Sequence, residues 1–141
     1  MLTQHTHRLS IATPGRGMID ITRQVQAWVT EHRLREGLLT LFIRHTSASL
    51  LIQENADPDV QSDLERFLAR LAPDGDRLFK HTAEGPDDMP AHVRAALTAT
   101  QLSIPLIDGR LALGTWQGIY LYEHRRHGHR REVALHLLGE A

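Results

Sequence analysis

Residues 114–125 read Gly-Thr-Trp-Gln-Gly-Ile-Tyr-Leu-Tyr-Glu-His-Arg, and this stretch holds both tyrosines and one of the two tryptophans of the chain. Its glycines and its lack of a helical repeat predict a β-strand from Trp116 to His124, with side chains alternating between two faces. A glycine inside a strand often marks a bulge or the close approach of a ligand, so Gly118 leaves two interpretations open. The stretch is either an aromatic core strand with a polar end or one wall of a binding site.

The composition excludes several classes of protein. The chain has 141 residues, enough for a single domain over residues 1–141 with a buried core. Cysteine is absent, which excludes disulfides, thiolate zinc sites and a cysteine nucleophile. A formal net charge of -1 gives no general attraction for nucleic acid.

Membrane and export signals are also missing from the pattern. No apolar run is long enough to cross a bilayer. The N-terminus carries histidines and polar residues where a signal peptide needs an apolar stretch. We therefore expect a cytoplasmic protein that binds neither nucleic acid nor a membrane.

The apolar pattern predicts an α+β fold. Helical stripes begin at Ile21, Asp57 and Pro90, with Asp57 as an N-cap and Gly37 as the stop of the first helix. Alternating or continuous apolar runs between these stripes predict strands. Asp108-Gly109 between two such runs predicts a two-residue hairpin. We expect mainly antiparallel strands in two layers, with two or three outer helices.

A short loop, His45-Thr46-Ser47-Ala48-Ser49, places three hydroxyl groups between two apolar runs. Buried hydroxyls cost free energy unless they find hydrogen-bond partners. One interpretation is a small-residue loop that holds phosphate through the hydroxyls of Thr46, Ser47 and Ser49 and through backbone amides. The other is a plain Ser/Thr turn between two strands.

Four histidines lie beside loops or strand ends rather than in apolar stripes: His45, His81, His92 and His124. Three imidazoles with water or a carboxylate suit a divalent metal that keeps an open coordination position. We predict that His81, His92 and His124 converge on one metal, either zinc or magnesium. The spacing alone contains no short-range ligand motif, so the prediction depends on the fold bringing these residues together.

Three acids, Glu84, Asp87 and Asp88, lie in the polar loop between His81 and His92. If those histidines bind a metal, the loop passes over it and its acids are placed to accept a proton. Alternatively, Asp88 only caps the helix that Pro90 opens. We predict that Asp87→Asn loses turnover at a near-normal melting temperature, whereas Asp88→Ala mainly lowers the melting temperature.

The basic turn Arg125–Arg131 also has two interpretations. It is either a solvated hairpin loop or a surface that captures a phosphorylated substrate, because arginine makes planar bidentate contacts with phosphate. A pair between Glu123 and one of these arginines would weaken the second interpretation.

The stretch Asp108–Ile119 closely resembles the signature of the YjbQ-like family, also called the secondary thiamine-phosphate synthase family. His45–Ser49, Glu54–Asp59 and His81–His92 are similar to the family's other motifs, in the same order, so the resemblance covers nearly the whole chain. It implies a homotrimer with sites near subunit contacts and a metal near the histidines. It also implies a weak thiamine-phosphate synthase activity, which joins a pyrimidine methyl diphosphate to a thiazole phosphate and releases pyrophosphate.

These observations lead to three candidate functions. The first is a metal-dependent enzyme that acts on a phosphorylated small molecule, with the synthase activity that the resemblance implies. The same residues suit a metal-dependent hydrolase of a phosphorylated metabolite, and a third hypothesis is a non-catalytic trimeric ligand-binding protein.

The candidate catalytic residues are His45, Glu84, Asp87 and Asp88. The candidate metal ligands are His81, His92 and His124. The candidate substrate-binding residues are Thr46, Ser47, Ser49, Asn55, Trp116, Gln117 and Arg125.

Overall fold

A computed structural model describes residues 1–141 as helices and strands joined mostly by short loops. The helices are α1 (Thr22–Glu31), α2 (Pro58–Leu71) and α3 (Asp88–Leu97). The strands are β1 (Thr3–Ala12), β2 (Gly17–Asp20), β3 (Glu36–Ile43), β4 (Ala48–Glu54), β5 (Gln101–Ile107), β6 (Arg110–Leu111), β7 (Gln117–Glu123) and β8 (Arg130–Glu140).

The strands form two antiparallel sheets. The larger sheet has the strand order β1-β8-β3-β5-β6, and the smaller sheet has the order β2-β7-β4. Every neighbouring pair of strands is antiparallel. The predicted α+β fold of mainly antiparallel strands is therefore confirmed, and the predicted two or three helices are three.

One cluster of buried apolar side chains connects the two sheets and α1. Burial of each large aliphatic side chain stabilises the fold by about 1.5–3 kcal/mol relative to exposure. Members of the cluster include Val25 and Val29 of α1, Leu39 and Leu41 of β3, Leu50 of β4, Ile119 and Leu121 of β7, and Leu135 of β8.

β7 is the middle strand of the smaller sheet and is buried on both faces. Ile119 and Leu121 belong to the apolar cluster. Tyr122 faces α2 instead, and its hydroxyl donates a hydrogen bond to Glu65 Oε1 at 2.7 Å. The strand predicted from Trp116 to His124 is therefore confirmed, with one residue fewer at each end.

The end of α1 differs from the prediction that Gly37 would stop this helix. The helix ends at Glu31, and Arg33 then adopts a φ of 53°, a left-handed conformation typical of helix termini. Gly37 lies in β3 opposite Gly139, where an added Cβ would collide with the carbonyl oxygen of Leu138. The glycine therefore permits the close approach of β3 and β8.

Two local predictions are confirmed by the backbone. Asp57 caps α2, with its Oδ1 accepting a hydrogen bond from the Asp59 N–H at 2.9 Å, and Pro58 is the first helical residue. Asp108 and Gly109 form the two-residue hairpin between β5 and β6, with φ values of 52° and 79°.

The apolar stripe of α2 is not buried within the chain. Phe67 and Leu71, which the helical pattern assigned to a core face, are both more than half exposed. The spacing of the apolar residues predicted the helix correctly, but such a pattern does not identify the surface against which the apolar face packs. None of the three helices is long and apolar enough to cross a lipid bilayer.

Candidate metal centre

Three ligand atoms converge where the loop before α3 meets the first turns of that helix. The Nε2 atom of His81 lies 2.7 Å from Asp88 Oδ2, and the Nε2 atom of His92 lies 3.0 Å from the same oxygen. All three ligand atoms lie within 4.8 Å of one another. Asp88 and His92 are four residues apart on α3, a spacing that places both side chains on one face of the helix. Two imidazoles and one carboxylate with open positions suit a divalent transition metal.

The other nitrogen of His92 is held by the hydroxyl-rich loop. Nδ1 of His92 lies 2.9 Å from the carbonyl oxygen of Thr46, which can only accept a hydrogen bond, so Nδ1 carries the hydrogen. In a neutral ring, Nε2 then has a lone pair that faces the Asp88 carboxylate. A cation bound beside these two atoms would accept a lone pair from each of them. The donor set therefore fits a metal ion, and the Thr46 carbonyl fixes the His92 tautomer that would bind one.

The second oxygen of Asp88 is held by Arg125. Arg125 Nη1 donates to Asp88 Oδ1 at 2.9 Å, and the Asp88 side chain is only 3% exposed. Burial by itself raises the pKa of Asp88, but the neighbouring His81, His92 and Arg125 outweigh burial and lower it. The carboxylate therefore stays ionised, with one oxygen anchored and the other directed at the histidines.

Asp87 is placed differently from its neighbour. Its Oδ2 accepts hydrogen bonds from Arg125 Nε and from the Arg126 backbone N–H, both at 3.0 Å. Burial raises the pKa of Asp87, but these hydrogen bonds outweigh burial and lower the pKa to about 2. Such a carboxylate is a weak proton acceptor at neutral pH, so the geometry does not favour the predicted role of Asp87 as a general base.

The proposal that Asp88 caps the helix is wrong. α3 begins at Asp88, and Asp87 occupies the N-cap position without a side-chain capping bond. The capping prediction assumed that the helix starts at Pro90, but the helix begins two residues earlier. This shift frees the Asp88 side chain for the histidines.

His124 does not join the centre. Its Nε2 lies 2.9 Å from Ser49 Oγ, its Nδ1 is buried without a hydrogen-bond partner, and its ring packs on Tyr122 with centroids 4.5 Å apart. Burial, followed by the nearby Arg94 charge, lowers the pKa of His124 to about 3. Strand alternation explains this placement, because His124 is two residues beyond Tyr122 and shares its face. The prediction that His81, His92 and His124 converge is therefore wrong for His124: the structure brings His81 and His92 together with Asp88 instead.

His45 is also outside the centre. Its Nε2 accepts a hydrogen bond from the Glu132 backbone N–H at 2.8 Å, which connects the end of β3 to β8. Burial and the Arg131 charge lower the pKa of His45. Its predicted catalytic role therefore has no support from its position, because the ring is used to join two strands.

The three hydroxyls of the loop are not equivalent. Ser47 Oγ accepts a hydrogen bond from Arg131 Nη2 at 3.0 Å, and Ser49 is fully buried against His124. Only Thr46 is exposed, and its carbonyl oxygen already contacts His92. Two of the three predicted phosphate ligands thus serve internal packing.

Three of the four arginines of the basic turn are bound to carboxylates, and the fourth, Arg130, donates to Ser10 Oγ at 3.0 Å. Arg125 pairs with Asp87 and Asp88, Arg126 with Asp74, and Arg131 with Glu123. Arg125 Nη2 also donates to the Glu84 carbonyl oxygen at 2.8 Å, while the Glu84 residue remains exposed. The turn therefore orders the acidic loop, which weakens the interpretation that its arginines capture phosphate.

Asp74, which follows α2, accepts hydrogen bonds from Arg16 and from Arg126 of the basic turn. These bonds make the stability of the fold sensitive to acid. The Asp74 oxygens lie 2.9 and 3.0 Å from the Arg16 donors and 2.8 Å from the Arg126 donor. Burial raises the pKa of Asp74, but the two arginines outweigh it and hold the pKa below the ordinary value of 3.8. Because the pKa of Asp74 is lower in the folded state than in the unfolded state, its ionisation stabilises the fold at pH values above the unfolded-state pKa. This stabilisation is lost as the pH falls through the folded-state pKa.

We therefore expect the free energy of unfolding to decrease below about pH 4 and Asp74→Asn to reduce that decrease. Urea unfolding of both proteins between pH 5 and pH 2.5 measures the difference. Asp63→Asn is the control, because Asp63 forms an exposed pair on α2. Parallel curves for the wild type and Asp74→Asn would contradict the expectation.

Asn55 and Gln117 lie at the opposite end of β7 from the candidate metal centre of His81, Asp88 and His92. β7 has seven residues, so its ends are about 20 Å apart. Both residues line a cleft of about 620 Å³ beside α1, together with Arg23, Arg110 and Thr115. We call it the α1 cleft. Trp116 is 64% exposed and does not line it. The predicted substrate-binding residues are thus not brought together: Asn55 and Gln117 line the α1 cleft, Trp116 lies outside it, and the others are near the far end of β7.

A second cavity, of about 390 Å³, adjoins the candidate metal centre at His81. Phe79, Pro86, Met89 and Pro90 supply much of its wall. The sequence analysis did not assign these residues, although Phe79 and Met89 bracket the polar loop as its nearest large apolar residues. The Thr46 carbonyl was also missed, and no sequence signal identifies a backbone oxygen.

The comparisons with known proteins agree with one another. The sequence profile of the family described as UPF0047 protein YjbQ-like matches residues 7–140. The chain is 53% identical over 137 residues to UPF0047 protein sll1880 of Synechocystis sp., covering 97% of this chain and 93% of that protein. It is 42% identical over 133 residues to UPF0047 protein YjbQ of Escherichia coli O157:H7, covering 94% and 96%.

A solved structure shows the same fold. The crystal structure of a YbjQ-like protein of unknown function from Sulfolobus solfataricus P2 superposes with a TM-score of 0.90 at 23% identity, covering 99% of this chain and 100% of that one. The family match, the curated relatives and the shared fold lead to one conclusion: the chain belongs to the UPF0047 (YjbQ-like) family.

Proposed function

We propose that the chain is a divalent-metal-dependent enzyme that acts on a phosphorylated small molecule in the cytoplasm. The observation that carries the proposal is the convergence of His81 Nε2, His92 Nε2 and Asp88 Oδ2 at the edge of an open cavity. The anchoring of Asp88 by Arg125 and of His92 by Thr46 supports it, because metal ligands are oriented by such partners.

Different residues would bind the metal, the substrate ring and the phosphate group in the proposed reaction. A divalent cation held by this centre would supply Lewis-acid stabilisation of phosphate oxygens. The apolar wall of the cavity formed by Phe79 and Met89 accommodates a substrate ring. The exposed Thr46 hydroxyl is available to donate to a phosphate oxygen, and Glu84 is an exposed carboxylate without an ion-pair partner, available to accept a proton.

The finer proposal is the thiamine-phosphate synthase activity that the family resemblance implies. In this reaction the ring nitrogen of a thiazole phosphate forms a bond to the methylene carbon of a pyrimidine methyl diphosphate. The carbon–oxygen bond to the diphosphate breaks, and pyrophosphate leaves with the electron pair. The reaction requires no covalent intermediate with the protein, so the side chains of the site need only bind and orient the two substrates.

A phosphate-ester hydrolase is the second candidate, and the exposure of the centre favours it. The side chains of His81 and His92 are 45% and 31% exposed, so water reaches the metal ligands directly. Synthases that must avoid hydrolysis usually exclude water from the reacting atoms. A non-catalytic binding protein is the outcome in which neither reaction occurs.

One set of assays tests these candidates. The protein is loaded with zinc, manganese or magnesium, and pyrophosphate release is measured with both thiamine precursors together and with each alone. Phosphate release from a panel of phosphomonoesters is measured in parallel. We expect metal-dependent turnover in one of these assays. A synthase releases pyrophosphate only when both precursors are present, whereas a hydrolase releases its product from a single substrate. Tight ligand binding without turnover in any arm would exclude an enzyme and support a binding protein.

Homotrimeric assembly belongs to the same proposal. Leu38, Phe42 and Leu138 are exposed apolar residues on one face of the larger sheet, and such faces are typical of subunit contacts. Light scattering of the purified protein measures the mass, and a monomer at micromolar concentration would contradict this part of the proposal.

A further inference from the structure

The α1 cleft is a second concave surface, remote from the metal centre. Its volume of about 620 Å³ falls within the range of small-molecule sites, roughly 300–1,000 Å³. One wall is the side of α1, and the other is the segment after the Asp108-Gly109 hairpin. Only three of its 14 lining residues are hydrophobic, so its chemistry is that of a polar ligand site.

Two guanidinium groups in this cleft have no partner within the chain. Neither Arg23 nor Arg110 has a carboxylate within 4.0 Å. Three arginines at the other end of β7, Arg125, Arg126 and Arg131, are by contrast each bound to acids. Free guanidinium groups are the side chains best suited to bidentate contacts with phosphate or carboxylate.

The acidic residue of the cleft does not cancel this charge. Asp20 also lines it, and its Oδ1 accepts a hydrogen bond from the Thr22 backbone N–H at 2.9 Å at the start of α1. Two arginines against one aspartate leave the cleft with a positive balance. An oxyanion is therefore the ligand group that its charge favours.

The loop that forms the far wall is held in place by its own hydrogen bonds. Gln117 Oε1 accepts from the Gly114 N–H at 2.7 Å, and the Gln117 N–H donates to the Gly114 carbonyl at 3.1 Å. Asn55 Nδ2 donates to the Thr115 carbonyl at 3.3 Å, and its backbone N–H donates to the Trp116 carbonyl at 3.0 Å. These bonds preorganise the wall, which lowers the entropy cost of binding. The Thr115 hydroxyl forms no internal hydrogen bond and remains available to a ligand.

We infer that the α1 cleft binds a small metabolite through an oxyanionic group, phosphate or carboxylate, held by Arg23 and Arg110. Asn55 and Gln117 act there by ordering the loop. This assigns the family-signature segment around Thr115 to ligand binding at a place separate from the His81, Asp88 and His92 centre. The inference does not depend on metal chemistry.

The test is calorimetric titration of the metal-free protein at low ionic strength. The probes are inorganic pyrophosphate, for a phosphate ligand, and citrate, for a carboxylate ligand. We expect one of the two probes to bind. Arg23→Gln and Arg110→Gln, tested separately, should each weaken the binding of that probe about tenfold or more. Thr115→Glu, which places a carboxylate at the loop wall, should abolish binding by repulsion. Melting temperatures of these exposed-residue variants should match that of the wild type.

Matched controls separate this site from general electrostatics and from the metal centre. Arg70→Gln removes an exposed charge on α2, and Ser62→Glu adds one there, so both should leave the affinity unchanged. His92→Ala should also leave it unchanged, so failure of the proposed metal centre does not affect this test. Absence of binding by both probes would overturn the inference. Equal losses in Arg70→Gln and Arg110→Gln, or loss in His92→Ala, would overturn it as well.

Discussion

Asp88→Asn is expected to weaken divalent-metal binding by about 100-fold or more and to remove metal-dependent turnover in proportion. The reason is that Asp88 Oδ2 is the one atom that contacts both His81 and His92, at 2.7 and 3.0 Å. The amide keeps the shape of the side chain but removes the negative charge that a divalent cation requires. Titration with Co²⁺, followed by its visible absorption, reports both affinity and coordination.

Two matched variants sharpen this experiment. Asp63→Asn removes an exposed carboxylate on α2 and should leave the metal affinity unchanged. Asp87→Asn should retain metal binding but lose stability, because its carboxylate accepts hydrogen bonds from Arg125 and Arg126. The geometry therefore reverses the roles that the sequence predicted for the two acids. A wild-type metal affinity in Asp88→Asn would show that Asp88 is not a ligand.

Glu123→Ala is expected to destabilise the fold by about 3–5 kcal/mol, the usual cost of removing one partner of a buried ion pair. Glu123 is fully buried and accepts hydrogen bonds from the Arg131 guanidinium, the Thr13 hydroxyl at 2.6 Å and the Arg125 N–H at 3.1 Å. Its removal leaves the buried Arg131 without a counter-charge. Urea unfolding of the variant and the wild type at pH 7 measures the change in the free energy of unfolding.

The control for this experiment is Glu132→Ala. Glu132 pairs with Arg44, whose side chain is half exposed, and such exposed pairs contribute about 0–1 kcal/mol. A further comparison is Glu123→Ala combined with Arg131→Met, which removes both charges and should recover part of the lost stability. Equal destabilisation by Glu123→Ala and Glu132→Ala would contradict the expectation that the buried Glu123–Arg131 pair contributes more to stability than the exposed pair.

Local chemistry made several elements predictable from sequence. Asp57-Pro58 begins α2, and Asp108-Gly109 turns the hairpin, because capping and positive φ depend on residues adjacent in the chain. The mistake at Gly37 has the opposite origin. A glycine after a helical stripe looks like a stop, but this one is required by the close approach of β8 from a distant part of the chain.

The sequence by itself determined the type of fold, the strand through Ile119 and the presence of a histidine-rich polar loop, because periodicity and turn residues act over short distances. Only the tertiary structure decided which histidines meet. It placed His92 beside His81 through Asp88 and turned His124 into the interior beside Ser49. It also decided that Arg125 anchors an acid while Arg110 stays free, because the partner of a long charged side chain depends on which loops fold against it.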